Sequence, residues 1–117
     1  MLVVSRFVIS SDDFVDQAHT ALKVLAACKG YLRGRLGRSL DEPDHWTLVT
    51  EWVSVGAYRR ALSSYDVKMH ATPLLAQSLD EPSAYEVLAE ATPGGELAVS
   101  VSDRAEDGIE AQTSTIG

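Results

Sequence analysis

Residues 30–53 read GYLRGRLGRSLDEPDHWTLVTEWV, and this stretch decides the fold. Residues 31–38 alternate in side-chain type, and residues 46–53 alternate again, so both segments are predicted to be β-strands. The turn-forming sequence DEPDH lies between them at positions 41–45. The stretch is therefore predicted to fold as a β-hairpin, and the remaining elements are assigned outward from it.

The segment before the hairpin carries a strand pattern and then a helix pattern. Residues 2–9, LVVSRFVI, are rich in β-branched side chains and are predicted to form a first strand. Apolar side chains recur at helical spacing from Phe14 to Leu25, so residues 12–28 are predicted to form an amphipathic helix. Gly30 follows this helix as a natural stop.

A second helical region and a last strand follow the hairpin. Ser54 is the predicted N-cap of a helix, which the sequence SSYD interrupts and which Pro73 bends or restarts. Residues 83–90, SAYEVLAE, are the predicted fourth strand. The order βαββαβ indicates an α+β, ferredoxin-like fold with a four-stranded antiparallel sheet, in the spatial order four, one, three, two. We expect this domain to span residues 1–91.

Residues 92–117 differ from the domain in composition, because they are polar and begin with a Gly-Gly pair. From residue 91 onward the chain has five acidic residues and one basic residue, so we expect an acidic, flexible C-terminal tail. The segment ELAVSVS, at positions 96–102, is the exception. Its alternation suits either an added edge strand or a strand that reaches a partner.

Composition excludes several classes of function. The 117-residue chain has a formal net charge of -7, which disfavours nucleic-acid binding, since contacts to phosphates need positive surface. No stretch approaches the roughly 20 apolar residues of a membrane span, so no membrane association is expected. Cys28 is the single cysteine and cannot form an intramolecular disulfide. A reducing, cytoplasmic location is the default expectation.

Strand alternation divides the sheet into two faces, and charged side chains concentrate on one of them. One face is mostly apolar, and the two helical regions are expected to cover it. The other face also carries valines and Tyr31, and is therefore predicted to pack against a second copy of the chain, with its charges paired across neighbouring strands. This predicted homodimer face contains Arg6, Arg33, Arg35, Glu51 and Glu86. In the expected strand order, the charges run across the sheet as Glu86, Arg6, Glu51 and then Arg33 or Arg35, so Glu51 is expected beside both Arg6 and an arginine of the second strand.

Four short motifs resemble those of the antibiotic biosynthesis monooxygenase (ABM) family. They are Gly-Tyr-Leu at 30–32, Trp-Val at 52–53, Ala-Tyr-Arg at 57–59 and SAYEVL at 83–88. The resemblance covers residues 2–90. It implies a dimeric α/β barrel, in which two ferredoxin-like protomers pack sheet to sheet. It also implies a cofactor-independent monooxygenase that acts on a small aromatic, polyketide or quinol substrate, with no metal and no cofactor.

The resemblance further implies a pocket between the sheet and its helices. Trp52 and Tyr58 match a tryptophan and a tyrosine that line this pocket in the aromatic oxygenases, and His70 is the candidate base. These three are the expected catalytic residues, with Ser5 as a further polar group. Leu48 stands where those oxygenases have an asparagine. The expected substrate-binding wall comprises Phe7, Leu32, Leu36, Leu48, Thr50, Leu62 and Leu74.

Two alternatives remain open at this point. One is a haem-binding or haem-degrading member of the family that uses His70 as the iron ligand. Phe7 and Ala61 then stand where that branch has an asparagine and a tryptophan. The other is a non-catalytic, dimeric domain that binds a small ligand or assists a biosynthetic enzyme. The apolar Leu48 favours the second alternative, and a pocket filled by side chains would support it.

Overall fold

A computed structural model of the protein describes residues 1–100. The chain divides into two compact units, Met1–Tyr85 and a second unit that begins at Glu86. Among the described residues no helix is long and apolar enough to cross a membrane. The elements are β1 (Leu2–Val8), α1 (Phe14–Ala26), β2 (Tyr31–Arg38), β3 (His45–Trp52), α2 (Val55–Ser63), α3 (Tyr65–His70), α4 (Thr72–Leu75), β4 (Ala84–Tyr85), β5 (Ala89–Ala91) and β6 (Leu97–Val99).

The first unit is an α+β fold with a four-stranded sheet, and it confirms the predicted fold class. The strand order is β2-β3-β1-β4, with antiparallel neighbours, which is the spatial order expected of a ferredoxin-like sheet. In register, β1 pairs with β3 so that Val3 lies opposite Thr50 and Phe7 lies opposite Trp46. The hairpin of β2 and β3 is thus one side of the sheet, and the N-terminal strand occupies its centre.

The helices bury one face of this sheet. Val3, Ser5 and Phe7 of β1 are all buried, whereas Arg6 and Val8 are exposed, as a period of two requires. Phe14, Ala18, Ala21 and Leu25 form the buried stripe of α1, which matches the predicted helical spacing. The buried core consists of Val3, Phe7, Phe14, Ala18, Ala21, Leu25, Leu48, Trp52, Ala57, Ala61, Val67, Ala71 and Leu74.

Local signals explain why the second helical region has three pieces. Ser54 caps α2 by accepting a hydrogen bond from the Ala57 amide at 3.1 Å, as predicted. Ser64 ends α2 in an extended conformation and caps α3 in the same way. Pro73 occupies the first turn of α4, where its missing N–H costs nothing. The three short helices follow one another along the chain. Both α3 and α4 contact α1.

An irregularity in β2 changes the face that the first residues of this strand occupy. Tyr31 lies opposite Trp52 and Arg33 lies opposite Glu51, so Leu32 is an extra residue in a β-bulge. The prediction that Tyr31 shares the charged face and that Leu32 faces the helices is therefore wrong. Tyr31 packs against the core, and Leu32 is 48 % exposed. Beyond the bulge the alternation resumes, and Arg33 and Arg35 lie on the exposed side, as predicted.

The charges of the opposite face pair differently from the expectation. Arg33 and Glu51 form the expected ion pair, with Arg33 Nη1 3.3 Å from Glu51 Oε1. Arg6 was expected beside Glu51, but Glu51 lies opposite Leu2 at the other end of β1. Arg6 instead donates hydrogen bonds from Nε and Nη2 to the two carboxylate oxygens of Glu81, at 2.7 and 2.9 Å. This bidentate pair joins β1 to the segment that precedes β4.

The predicted fourth strand, residues 83–90, is split between two sheets. Only Ala84–Tyr85 pairs with β1, whereas Ala89–Ala91 pairs with Leu97–Val99 in a separate two-stranded hairpin. Gly94 and Gly95, both with positive φ, form the turn of this hairpin. The alternating segment that begins at Glu96 therefore does form a strand, as far as the described residues extend. Glu86 belongs to this second unit and lies beyond the last residue of β4.

Candidate active site

Trp52 is the centre of an aromatic cluster at the end of β3. It is the largest fully buried side chain and is 1 % exposed. Its ring packs against Tyr58, in the first half of α2, with centroids 5.4 Å apart and ring planes at 53°. It also meets the Tyr31 ring edge to face, again with centroids 5.4 Å apart. We call Tyr31, Trp52 and Tyr58 the aromatic cluster.

Hydrogen bonds fix Trp52 from both its side chain and its backbone. The indole Nε1 donates to the buried Thr50 Oγ1 at 2.9 Å. The Trp52 amide donates to the Met1 carbonyl at 2.9 Å, and the Met1 ammonium donates to the Trp52 carbonyl at 3.0 Å. The indole is therefore held in one orientation, and its only polar atom has a partner within the protein.

Tyr31 owes its place in the aromatic cluster to the bulge and to Gly34. A Cβ on Gly34 would collide with the Tyr31 hydroxyl and would lie 2.9 Å from Leu22 Cδ1 and 3.1 Å from Thr50 Cγ2. The missing side chain is thus the space that the phenol of Tyr31 fills. Sequence alternation alone missed this residue. Glycine inside a strand pattern was the available sign, since it marks a bulge or a close approach.

The phenols of Tyr31 and Tyr58 are half-buried, and burial raises the pKa of both above the ordinary value of 10.0. Both hydroxyls therefore stay protonated at neutral pH and are hydrogen-bond donors rather than bases. Within residues 1–100 neither hydroxyl has a hydrogen-bond partner. The cluster is consequently an apolar, aromatic surface with two phenolic donors at its margin.

The predicted substrate wall is largely part of the packed interior. Phe7, Leu48, Thr50 and Leu74 are each no more than 3 % exposed, and Leu36 and Leu62 are half-buried against the core. Ser5 is also buried. The Phe7 ring packs against Phe14, with centroids 5.1 Å apart, and Phe14 packs in turn against Trp46 at the same distance. Leu32 alone among the predicted wall residues points away from the core cluster.

His70 is not part of the aromatic cluster. It is exposed at the end of α3 and lines an open groove of about 370 Å³ between α1 and the α3–α4 segment. The other residues of this groove are Asp16, Gln17, Thr20, Met69, Pro73, Leu74 and Gln77. The structure thus brings two of the three predicted catalytic residues together, Trp52 and Tyr58, and places the third in a separate groove.

The groove around His70 does not fit a haem. A haem needs apolar surface against both faces of a large macrocycle. Only Met69, Pro73 and Leu74 supply apolar surface here, and α1 lines the groove with the polar side chains of Asp16, Gln17 and Thr20. No step of a haem reaction is therefore assigned to this residue.

The described residues contain one group with metal-ligand chemistry, in the turn between β2 and β3. Ligand atoms of Glu42, Asp44 and His45 lie within 4.8 Å of one another. His45 Nε2 is 3.8 Å from Asp44 Oδ1. The group is largely exposed and belongs to the hairpin turn, so it adds nothing to the aromatic cluster.

Comparisons with known proteins agree with this architecture. The family model described as antibiotic biosynthesis monooxygenase matches residues 10–72. The solved structure of SnoaB, a cofactor-independent oxygenase from Streptomyces nogalater, is similar with a TM-score of 0.61 and 28 % identity, over 76 % of this chain and 96 % of SnoaB. A SnoaB variant gives a TM-score of 0.62 over the same shares. The comparison with curated protein sequences finds no match.

More distant structures share the fold alone. A conserved protein from Methanosarcina mazei has a TM-score of 0.58 at 20 % identity, over 71 % of this chain and 84 % of that protein. A protein from Shewanella oneidensis has a TM-score of 0.54 at 16 % identity, over 68 % and 81 % of the two chains. The matched region contains α1, β2, β3, α2 and α3, and therefore the whole aromatic cluster.

Proposed function

We propose that this chain, which belongs to the antibiotic biosynthesis monooxygenase family, is a cofactor-independent monooxygenase of small aromatic or quinol substrates. The observation that carries the proposal is the packing of Tyr58 on Trp52, 5.4 Å between centroids, within the region that matches the family. The similarity to SnoaB, a cofactor-independent oxygenase, supports the same reaction class.

The reaction needs an electron-rich aromatic anion, because such an anion reduces oxygen without a metal or flavin. We take a dihydroxynaphthalene with one hydroxyl on each ring as the example. Its phenolate transfers electrons to oxygen, and a hydroperoxide forms at the ring carbon para to the phenolate oxygen. Loss of water from the hydroperoxide leaves a carbonyl at that carbon. One dihydroxynaphthalene and one oxygen molecule thus give one hydroxynaphthoquinone and one water.

The protein's contribution in this proposal is placement and exclusion of water. The flat indole of Trp52 is held by Thr50, so it offers a fixed surface against which a substrate ring can stack. The Tyr58 phenol, protonated at neutral pH because burial raises its pKa, donates to the substrate oxygen. No histidine or carboxylate joins the aromatic cluster among residues 1–100, so the substrate itself supplies the anion.

Substrate binding in this proposal requires side chains to move. Leu48, Trp52 and Leu74 are fully packed, whereas Tyr31 and Tyr58 are the half-buried members at the margin. We therefore place the entry at the tyrosine margin, where displacement of a phenol exposes the indole at the lowest cost in buried area.

Oxygen uptake in the presence of a metal chelator tests the proposal. With the dihydroxynaphthalene as substrate, we expect uptake well above the rate in buffer and unchanged by the chelator. Trp52→Phe removes the indole but keeps an aromatic ring, and should lower the rate by about tenfold or more. Trp46→Phe is the matched control, because Trp46 packs under Arg38 outside the aromatic cluster. Uptake equal to that in buffer would refute the proposal.

The second candidate function is a non-catalytic domain that binds a small aromatic ligand. The packed interior around the apolar Leu48 favours it, since this residue offers no polar group to a substrate. The same experiment separates the two candidates. A domain of this kind binds the dihydroxynaphthalene under argon, with quenching of tryptophan fluorescence, but adds no oxygen uptake when air is admitted.

We also propose that the protein is a homodimer whose contact is the outer face of the sheet, defined here as Val4, Arg6, Val8, Arg33, Arg35, Val49 and Glu51. Val8 is 47 % exposed, and Val4 and Val49 are only half-buried. Arg35 has no ion-pair partner within residues 1–100. A sheet face that combines partly exposed valines with an unpaired arginine is typical of a surface that a second protomer completes.

A further inference from the structure

We propose that Tyr31 is a substrate-contacting residue, whose hydroxyl donates a hydrogen bond to the anionic oxygen of an aromatic substrate lying over Gly34. This inference rests on the proposed function and adds a specificity-determining residue to it. It assigns to the bulge in β2 a role in recognising phenolates rather than neutral aromatic rings.

The first support is the position that the bulge forces on Tyr31. Regular alternation would turn this side chain toward the outer face, but the extra residue Leu32 turns it toward the helices. There its ring stands perpendicular to the Trp52 indole, at 87° and 5.4 Å between centroids. The Tyr31 ring is thus as close to the indole as the Tyr58 ring is.

The second support is the missing partner of the Tyr31 hydroxyl. The hydroxyl lies over Gly34, where an added Cβ would collide with it and would also meet a methyl of Leu22 and a methyl of Thr50. The Thr50 hydroxyl already accepts the indole N–H of Trp52. Within residues 1–100 no group hydrogen-bonds to the Tyr31 hydroxyl. A half-buried phenol with no partner among these residues is free to donate its hydrogen bond to a ligand oxygen.

The third support is the space over Gly34, which the Tyr31 phenol fills. The absence of a side chain there leaves space that the Tyr31 phenol now occupies, bounded by Leu22 on α1 and Thr50 on β3. Because Tyr31 is only half-buried, it can swing aside without breaking the core cluster. A flat ring can then lie over Gly34 with its edge toward the displaced hydroxyl. Burial also raises the pKa of Tyr31, which keeps it a donor at neutral pH.

The test compares Tyr31→Phe with wild type in two measurements. The first is binding of para-nitrophenol, whose anion absorbs separately from the neutral phenol. We expect wild type to bind the anion at least about tenfold more tightly than Tyr31→Phe, because a hydrogen bond to a charged group is lost. The pKa of the bound para-nitrophenol should also be lower on wild type than on the variant.

The second measurement is oxygen uptake with the dihydroxynaphthalene. Tyr31→Phe should raise KM and lower kcat/KM by a similar factor, while its thermal unfolding midpoint stays at the wild-type value, since the ring packing is kept. Tyr65→Phe is the matched control, because the Tyr65 side chain is 73 % exposed on α3. This variant should behave as wild type in both measurements.

The outcomes separate this inference from the proposed function. If wild type takes up oxygen and binds para-nitrophenol but Tyr31→Phe does so equally well, the role of Tyr31 is refuted and the proposed function stands. If Tyr31→Phe weakens binding only in proportion to a lowered unfolding midpoint, its role is structural and the inference also fails. If wild type neither binds the probe nor takes up oxygen, both are refuted.

Discussion

Tyr58 shows most clearly how burial at a single residue becomes a measurable property. Its phenol packs on Trp52 and is half-buried, and desolvation raises its pKa above 10.0 in the folded protein. The unfolded chain then releases this proton at a lower pH than the folded protein does. The contribution of Tyr58 to stability is therefore complete below about pH 10 and is lost as the pH rises through its folded pKa.

This difference predicts a pH dependence of the free energy of unfolding. Above pH 10 the stability of wild type should fall more steeply than that of Tyr58→Phe, which has no proton to lose, while below pH 10 the two curves should run parallel. Urea unfolding at a series of pH values measures both curves. Tyr65→Phe, at an exposed tyrosine, should follow wild type throughout. Parallel curves for wild type and Tyr58→Phe above pH 10 would contradict the burial of this phenol.

At the residue scale, the family resemblance pointed to Trp52 and Tyr58, whose side chains the structure brings together, and it did not include Tyr31. Trp52 follows the regular alternation of β3, and Tyr58 follows the cap at Ser54, so local rules sufficed for both. The face of Tyr31 depends on one extra residue in β2, and a one-residue shift moves a side chain to the other face. His70 was expected in the pocket, but helix α3 ends with this residue exposed. The direction of the His70 side chain depends on how α3 and α4 pack, which local sequence rules do not determine.

At the element scale, the bulge in β2 predicts how substitutions at Gly34 and Tyr31 together change the free energy of unfolding. Gly34→Ala places a methyl group against the Tyr31 hydroxyl, Leu22 and Thr50, so it should destabilise the fold by about 1–3 kcal/mol. In a Tyr31→Phe background the hydroxyl is gone, and the same substitution should cost at least about 0.5 kcal/mol less. Urea unfolding of the two single variants and the double variant gives this coupling energy.

Gly37→Ala provides the matched control on the same strand. A Cβ at Gly37 meets Thr47 Cγ2 at 3.2 Å and has no contact with Tyr31, so Tyr31→Phe should not change its cost. Strictly additive costs for Gly34→Ala and Tyr31→Phe would mean that the phenol does not lie over Gly34. The bulge would then not direct Tyr31 into the aromatic cluster.

The fourth strand shows where sequence patterns fail at the element scale. Residues 83–90 have one continuous strand pattern, yet Ala84–Tyr85 joins β1 and Ala89–Ala91 joins β6. Alternation reports that a segment is extended, but it does not report which strand it pairs with. Gly94 and Gly95 form a tight turn that brings Leu97–Val99 beside Ala89–Ala91. Because the connecting loop is short, this pairing has a low entropic cost.

At the scale of the whole molecule, the outer face of the sheet predicts self-association. Sedimentation velocity at micromolar concentration should give a dimer. Val8→Asp places an unpaired charge on the outer face, where Val8 is 47 % exposed, and should raise the dissociation constant at least about tenfold. Lys68→Asp, on α3 and outside this face, is the control and should leave the dimer intact. A wild type that sediments only as a monomer would contradict the proposed homodimer.

The activity of the whole molecule is tested most directly by the fate of the two oxygen atoms. Wild type, freed of metals with a chelator, is supplied with the dihydroxynaphthalene and isotopically labelled oxygen gas. Mass spectrometry then locates the label. We expect one labelled oxygen atom in each hydroxynaphthoquinone, the other in water, and a markedly lower yield with Trp52→Phe than with Trp46→Phe. Unlabelled product, or product formed no faster than in buffer, would contradict the assignment of a cofactor-independent monooxygenase.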